Sequence, residues 1–182
     1  MIFLDTNGDG TINADDRTKI GKGLPDWTYG FNIGAGWKGF QLTAYFQGVW
    51  GNQIYDASLR GDTPAKNMPS WMLNRWTGEG TSNTIPIYRL GDARNWQSSD
   101  LYVKSGAYLR CANLTLSYTL PFNIVKKIGF DNIRVFVMGE NLFTATKYRG
   151  FTPEVGDGTN IGIDYGNYPE ARTFTVGFNI QL

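Results

Sequence analysis

The sequence predicts an all-β protein, a set of about five antiparallel strands that form part of a transmembrane β-barrel with long external loops. Three observations carry this prediction. Residues 27–50 alternate strictly between apolar and polar side chains, aromatic residues crowd both ends of each apolar run, and the connections between strands alternate between short and long. Successive strand side chains point to opposite faces, so alternation gives one oily face and one small polar face. Aromatic girdles at two interfaces above a polar interior face are what an outer-membrane barrel needs. A soluble antiparallel sandwich shares the alternation and is the alternative for the hairpin alone.

The chain opens on Asp5-Thr6-Asn7-Gly8-Asp9-Gly10-Thr11-Ile12-Asn13-Ala14-Asp15-Asp16. This fits the calcium loop D-x-[DN]-x-[DN]-G: Asp5, Asn7 and Asp9 offer side-chain oxygens, Thr11 its carbonyl, and Asp16 stands at the twelfth position. Gly10 permits the sharp bend. Position 12 is Asp rather than the longer Glu, and too few residues precede the loop for an entering helix, so the expectation is a Ca2+-bound structural clip. An acidic turn without metal is the alternative.

In the first strand Trp27, Tyr29, Phe31, Ile33, Ala35 and Trp37 take one phase, and Thr28, Gly30, Asn32, Gly34 and Gly36 the other. After a turn at Lys38-Gly39 the second strand sets Phe40, Leu42, Ala44, Phe46 and Trp50 against Gln41, Thr43, Tyr45 and Gln47. Each run has about the 9 to 11 residues that a tilted strand needs to cross a bilayer. Residues 51–107 then read as a long ordered loop, because Trp71, Trp76, Tyr88, Trp96 and Tyr102 argue against disorder. Within it residues 69–76 predict a short helix that Ser70 can cap.

The third strand, residues 108–120, places Ala112, Leu114, Leu116, Tyr118 and Leu120 opposite Asn113, Thr115, Ser117 and Thr119. Pro121 ends it, and residues 123–129 suggest one or two helical turns. The fourth strand, residues 133–143, sets Ile133, Val135 and Val137 against Arg134, Met138 and Glu140, with Phe136 on the polar phase. A second long loop, 144–171, leads to the last strand, 172–182, where Phe174, Val176, Phe178, Ile180 and Leu182 alternate with Thr173, Thr175, Gly177, Asn179 and Gln181. The short turns therefore fall at one end and the long loops, with the calcium loop, at the other. Bacterial barrels show that asymmetry, with the long loops outside.

Composition narrows the function. The 182 residues include 23 Gly and 15% aromatic residues, a turn-rich and β-rich balance that disfavours a helical fold. No apolar run reaches the roughly 18 residues of a membrane helix, and the mean hydropathy of -0.32 hides barrel strands because half their residues are polar. Lys+Arg 17 against Asp+Glu 16 gives +1, so there is no electrostatic footprint for nucleic acid. With His 0 there is no Ser-His-Asp triad and no histidine-ligated zinc, which disfavours an enzyme. The lone Cys111 cannot form an internal disulfide. Residues 1–5 carry no basic or apolar stretch of a signal peptide.

Six stretches resemble, in order, the C-terminal end of SusC/RagA-type TonB-dependent outer-membrane transporters: DTNGDGTINADDR followed by IGKGLPDWTYGFNIG, then GFQLTAYFQGVWGNQIYD, RWTGEG, YLRCANLTLSYTLP, IRVFVMGENLFTATKYRGFTPEV and YPEARTFTVGFNIQL. The resemblance implies a barrel of about 22 strands around an N-terminal plug. It also implies a SusD-like surface lipoprotein as partner, energy relayed by TonB through the plug, and import of oligosaccharides or peptides. The place is the outer membrane of a Gram-negative bacterium, with its lipid around a multi-pass protein. Five strands fall short of the about eight that close the smallest barrels, so a fragment is expected. Leu182 stands where many such proteins end in an aromatic residue.

The expected organisation is a calcium-loop segment over residues 1–26 and barrel strands over 27–182. Trp71, Trp76 and Trp96 are candidate contacts for substrate or lid, by stacking on sugar rings or docking the lipoprotein. Asn32, Gln41, Gln47, Asn113, Arg134 and Glu140 are candidates for the lumen lining. A secreted, calcium-stabilised β-sheet module for binding or adhesion, with its oily face buried, is the second reading.

Overall fold

The computed structural model describes residues 2–58, 67–89, 95, 97–156 and 158–182. The Trp27–Trp37 strand (β1) and the Phe40–Trp50 strand (β2) form the predicted hairpin, in register from Trp37 opposite Phe40 to Trp27 opposite Trp50. Lys38 (φ 46°) and Gly39 (φ 89°) both adopt positive φ, as a type I′ turn requires, so the two-residue loop matches the twist of its strands. The Lys38 ammonium lies 4.8 Å over the Trp37 ring.

Three further long strands extend this hairpin into a five-stranded antiparallel sheet. Naming elements in chain order, Gln53–Asp56 is β3, Val103–Ser105 β4, Tyr108–Thr119 β5, Asn132–Thr146 β6, Ile163–Asp164 β7 and Thr173–Gln181 β8. The large sheet has the order β1-β2-β5-β6-β8, and β4-β3-β7 make a separate three-stranded sheet. The register puts Trp27, Trp50, Tyr108, Thr146 and Thr173, where the chain enters β1 and the two long connections leave and return, at one end of the large sheet. Lys38-Gly39 and residues 120–131 lie at the other.

Glycines let large side chains cross this sheet. Tyr29 lies over Gly48 to give its hydroxyl to the Tyr108 carbonyl, 2.8 Å away on a strand that is not its neighbour. A Cβ on Gly48 would stand 2.6 Å from the Tyr29 hydroxyl and 2.2 Å from the Tyr108 carbonyl oxygen. Phe136 covers Gly177 in the same way, where a Cβ would meet its ring at 2.6 Å. An aromatic laid across a glycine restores the packing that the glycine lacks, which explains how Phe136 can sit on the polar phase.

Several sequence expectations are corrected. The β2–β5 pairing slips at Tyr45/Phe46, and Cys111 rather than Ala112 stands opposite Phe46, so Ala112 drops out of the alternation. An extra residue in one strand changes the phase beyond it. The helix expected over 69–76 is a 3-10 turn at Ser70–Asn74, with Pro69 at its N-cap and no side-chain cap, so Ser70 does not cap it. The one or two helical turns expected over 123–129 are present, as an α-helical turn, Phe122–Val125, and a 3-10 turn, Lys126–Ile128, closed by Gly129 (φ 87°). The loops expected at 51–107 and 144–171 contain β3, β4 and β7, which are too short to show a period.

The buried apolar residues do not lie where a sandwich would put them. Ile54, Met72, Tyr102 and Tyr148 are buried among the connections, while Ala44 and Cys111 are buried on the large sheet. The oily face itself is open: Phe31, Ile33, Leu116, Val137, Val176 and Phe178 are all exposed, Val176 to 73%.

Candidate functional site

The polar face is built by register. Asn32 lies opposite Tyr45, Tyr45 opposite Asn113, Asn113 opposite Glu140 and Glu140 opposite Thr173, making one row across all five long strands. Adjacent rows hold Gly36, Gln41, Ser117, Phe136 and Gly177, and Gly34, Thr43, Thr115, Met138 and Thr175. Gln47 pairs with Arg110, and Arg134 pairs with Thr119 and Asn179. All six residues proposed for the lumen therefore share one face. Arg134 Nη2 donates to Gln41 Oε1 at 3.0 Å and to Ser117 Oγ at 2.8 Å, joining three strands.

The sequence reading missed a second polar cluster at the loop end of this face. Arg110 Nη1 donates to Glu154 Oε2 at 2.5 Å, and the Tyr108 hydroxyl donates to Glu154 Oε1 at 2.6 Å. The two charged side chains are only 14% and 24% exposed. An ion pair so sheltered, with the second hydrogen bond from Tyr108, holds Glu154 and its connection down on β5. The signal was present: without a bulge Arg110 would fall on the oily phase, and the slip at Ala112 returns it to the polar one.

At the same end the small sheet joins both long connections, since β3 comes from the first and β7 from the second, in parallel pairing. Asp164 on β7 is 1% exposed and accepts from the Tyr148 hydroxyl at 2.5 Å and from the backbone N–H groups of Gly166 and Asn167. Burial, and then the bond to Asp164, pushes the Tyr148 hydroxyl well above the usual phenol range. Burial does the same to Tyr102, aided by Tyr55 and Asp56.

The loop at residues 5–16 keeps its bends through Gly8 (φ 79°) and Gly10 (φ 80°). Asp5 accepts from the N–H groups of Gly8 and Gly10, Asp9 from Thr11, and Asn7 from Asp9. Asp16 accepts from Thr6 and Asn13, and those bonds, that of Asn13 first, hold its carboxyl below the usual range. Among the described residues no three His, Cys, Asp or Glu side chains converge as a metal cluster. The donor set still suits a hard cation. Each carboxylate oxygen that accepts one N–H retains a lone pair, and Asp5, Asn7, Asp9, the Thr11 carbonyl and Asp16 all offer oxygen atoms of the kind such a cation takes.

Of the three candidate tryptophans, Trp71 is half-buried and Trp76 is 38% exposed, its backbone N–H closing a loop onto the Ile85 carbonyl. Trp76 lines a groove of about 710 Å³ with Ser82, Asn83 and Asp100. Trp96 lies outside the described residues.

The structure is thus an open antiparallel sheet with one apolar and one polar face, tied connections at one end and shorter turns at the other. No protein-family model matches the chain. It is similar to TonB-dependent receptor P3 of Formosa agariphila, 36% identical over 100% of this chain and 19% of that protein. It is also similar to TonB-dependent receptor SusC of Bacteroides thetaiotaomicron, 28% identical over 100% of this chain and 17% of that protein. Among solved structures, the RagAB peptide importer in its 'closed-closed' state matches with a TM-score of 0.76 and 28% identity, over 98% of this chain and 20% of that one. The chain belongs with the TonB-dependent receptors of the SusC/RagA type. It spans about a fifth of the length of the curated relatives it matches. These relatives are named as receptors and importers, not as enzymes.

Proposed function

We propose that this chain supplies wall strands, part of the lumen and two external loops to an outer-membrane barrel that imports oligosaccharides or peptides. The observation that carries the reading is the open oily face, with Trp27, Trp37, Phe40 and Trp50 at the ends of its first two strands. Such a face suits lipid and has no cover of its own. No helix among the described residues is long and apolar enough to cross a membrane. Asn32, Gln41, Gln47, Asn113, Arg134 and Glu140 line the interior in this reading. Asp5, Asn7, Asp9, Thr11 and Asp16 hold a calcium ion that clips the chain entering β1. Trp71, Trp76 and Trp96 contact substrate or a SusD-like lipoprotein lid, and TonB acts through the rest of the protein.

The test is uptake by cells carrying the full-length parent, its deletion and a deletion of the neighbouring lipoprotein gene. Each strain is supplied with labelled oligosaccharide or peptide mixtures. Loss of uptake of one class in both deletions supports the reading, and unchanged uptake of every class ends it. The second reading, a secreted calcium-stabilised module, requires the oily face to be buried, whereas Phe174, Val176 and Phe178 are about 70% exposed.

A further inference from the structure

The connection from β5 to β6 is larger than a return between neighbouring strands needs, since Lys38-Gly39 alone joins β1 to β2. Residues 120–131 fold it into the α-helical turn Phe122–Val125 and the 3-10 turn Lys126–Ile128. Val125 is fully buried where these turns meet β6, whereas Phe122, Ile124 and Ile128 are each more than half exposed. The hairpin turn lies beside them, because Thr119 N–H donates to the Gly39 carbonyl at 2.9 Å. Cations accompany the open apolar groups. The Lys126 ammonium lies 5.3 Å over the Phe122 ring, as the Lys38 ammonium lies over Trp37. Among the described residues neither these two nor Lys127 pairs with a carboxylate. Across residues 36–41 and 117–135 the only acidic side chain is Asp131.

We propose that the connection over residues 121–130 is a membrane-surface anchor, which seats Phe122, Ile124 and Ile128 in the headgroup layer and holds anionic phospholipid through Lys38, Lys126 and Lys127. The proposal rests on the oily face meeting lipid. Two observations select that occupant. The first is depth: Trp37, Phe40 and Tyr118 share a row and end the oily face on their three strands. Phe122 follows Tyr118 by four residues, at most roughly 10 Å further at about 2.5 Å of depth per residue. A headgroup layer reaches about 5 to 8 Å beyond the hydrocarbon on each side, so these turns stand at its level. The second is charge. Exposed apolar groups interleaved with lysines suit an interface whose interior is oily and whose surface is negative. Lysine stems lie along apolar surface while their ammonium groups reach the phosphates, and each such charge near an anionic surface favours binding roughly fivefold.

The experiment places the photoprobe p-benzoylphenylalanine at Ile124, and separately at Val176, in the full-length parent. Each is reconstituted into vesicles of equimolar phosphatidylcholine and phosphatidylglycerol, and the adducts are identified by mass spectrometry. At Val176, in the middle of the oily face, both lipids should be taken about equally. At Ile124 phosphatidylglycerol should exceed phosphatidylcholine several-fold. Combining Lys38→Gln, Lys126→Gln and Lys127→Gln should remove that preference per folded receptor and leave the Val176 adducts unchanged. Equal yields of the two lipids at Ile124, a preference that survives the three substitutions, or protein adducts at Ile124 while Val176 takes lipid would each overturn the proposal alone. No lipid adduct at Val176 would overturn the lipid-facing reading, and the proposal with it.

Discussion

Replacing Val176 by Arg, and separately its neighbour Thr175, separates a lipid-facing wall from every alternative. The two residues are adjacent on β8, so local strand propensity and distance from the chain end are nearly matched. Val176 is 73% exposed on the oily face opposite Val137, and Thr175 is half-buried on the polar face opposite Met138. A rise of about 3.3 Å per residue tilted by roughly 40° gives about 2.5 Å of depth per residue. The nine residues of β8 then span roughly 23 Å, close to the ~25 Å apolar band, and Val176 lies within about 3 Å of its middle. Arginine there costs about 2 to 4 kcal/mol, against roughly 0 to 1 kcal/mol where water is at hand. At 1.4 kcal/mol per tenfold, a difference of about 3 kcal/mol is roughly a hundredfold in the folding equilibrium. Urea titration of the full-length parent refolded into lipid vesicles measures both variants. Equal midpoints, or a larger shift for Thr175→Arg, would refute the facing assignment.

Three other outcomes are expected. Calorimetry on the full-length parent should detect calcium at about 10⁻⁴ to 10⁻³ M, and Asp5→Ala with Asp9→Ala should abolish the heat; indistinguishable heats would mean that the loop is a metal-free turn. Gly48→Val should destabilise the parent by about 1 to 3 kcal/mol, because its Cβ would displace Tyr29 and meet the Tyr108 carbonyl. Gly36→Ala, whose Cβ would find its nearest atom at 3.7 Å, should be nearly silent in the same titration. Expressed alone in detergent-free buffer, the chain should associate through its open edges at β1 and β8 and its oily face, so a monomer by light scattering would contradict the exposed face.

The parts legible in the sequence are those governed by a local period. β1 and β2 fall on the predicted residues because eleven alternating positions on each side of Lys38-Gly39 leave one register in which every oily residue faces the same way. The third, fourth and last strands were found for the same reason, with ends off by up to three residues. What escaped is what a period cannot encode. A bulge such as that at Ala112 is visible only as a residue out of phase, and Arg110 was that residue. β3 and β7 pair across more than a hundred residues, and two to four residues carry no measurable alternation. The Arg110–Glu154 pair depends on where a loop lands, which neither residue type announces.

The distribution of buried side chains explains why the two halves of the chain behave so differently as sequence and as structure. The connections bury Ile54, Met72, Tyr102 and Tyr148, and with them Asp164, a carboxylate that accepts three hydrogen bonds. Ordering loops of this length costs entropy that a polar tract could not recover. Pairing β3 with β7 makes the two connections share one set of buried contacts, and Arg110–Glu154 fixes that lobe to the polar face. The large sheet has the opposite economy: its strands pair with their neighbours along most of their length, but its oily side chains gain little from one another beyond contacts such as Phe31 on Phe46, 5.2 Å between ring centroids. Burial worth roughly 1.5 to 3 kcal/mol for each large apolar side chain has to come from outside the chain. The connections therefore bury apolar side chains of their own, whereas the sheet leaves Phe174, Val176 and Phe178 open to whatever covers that face.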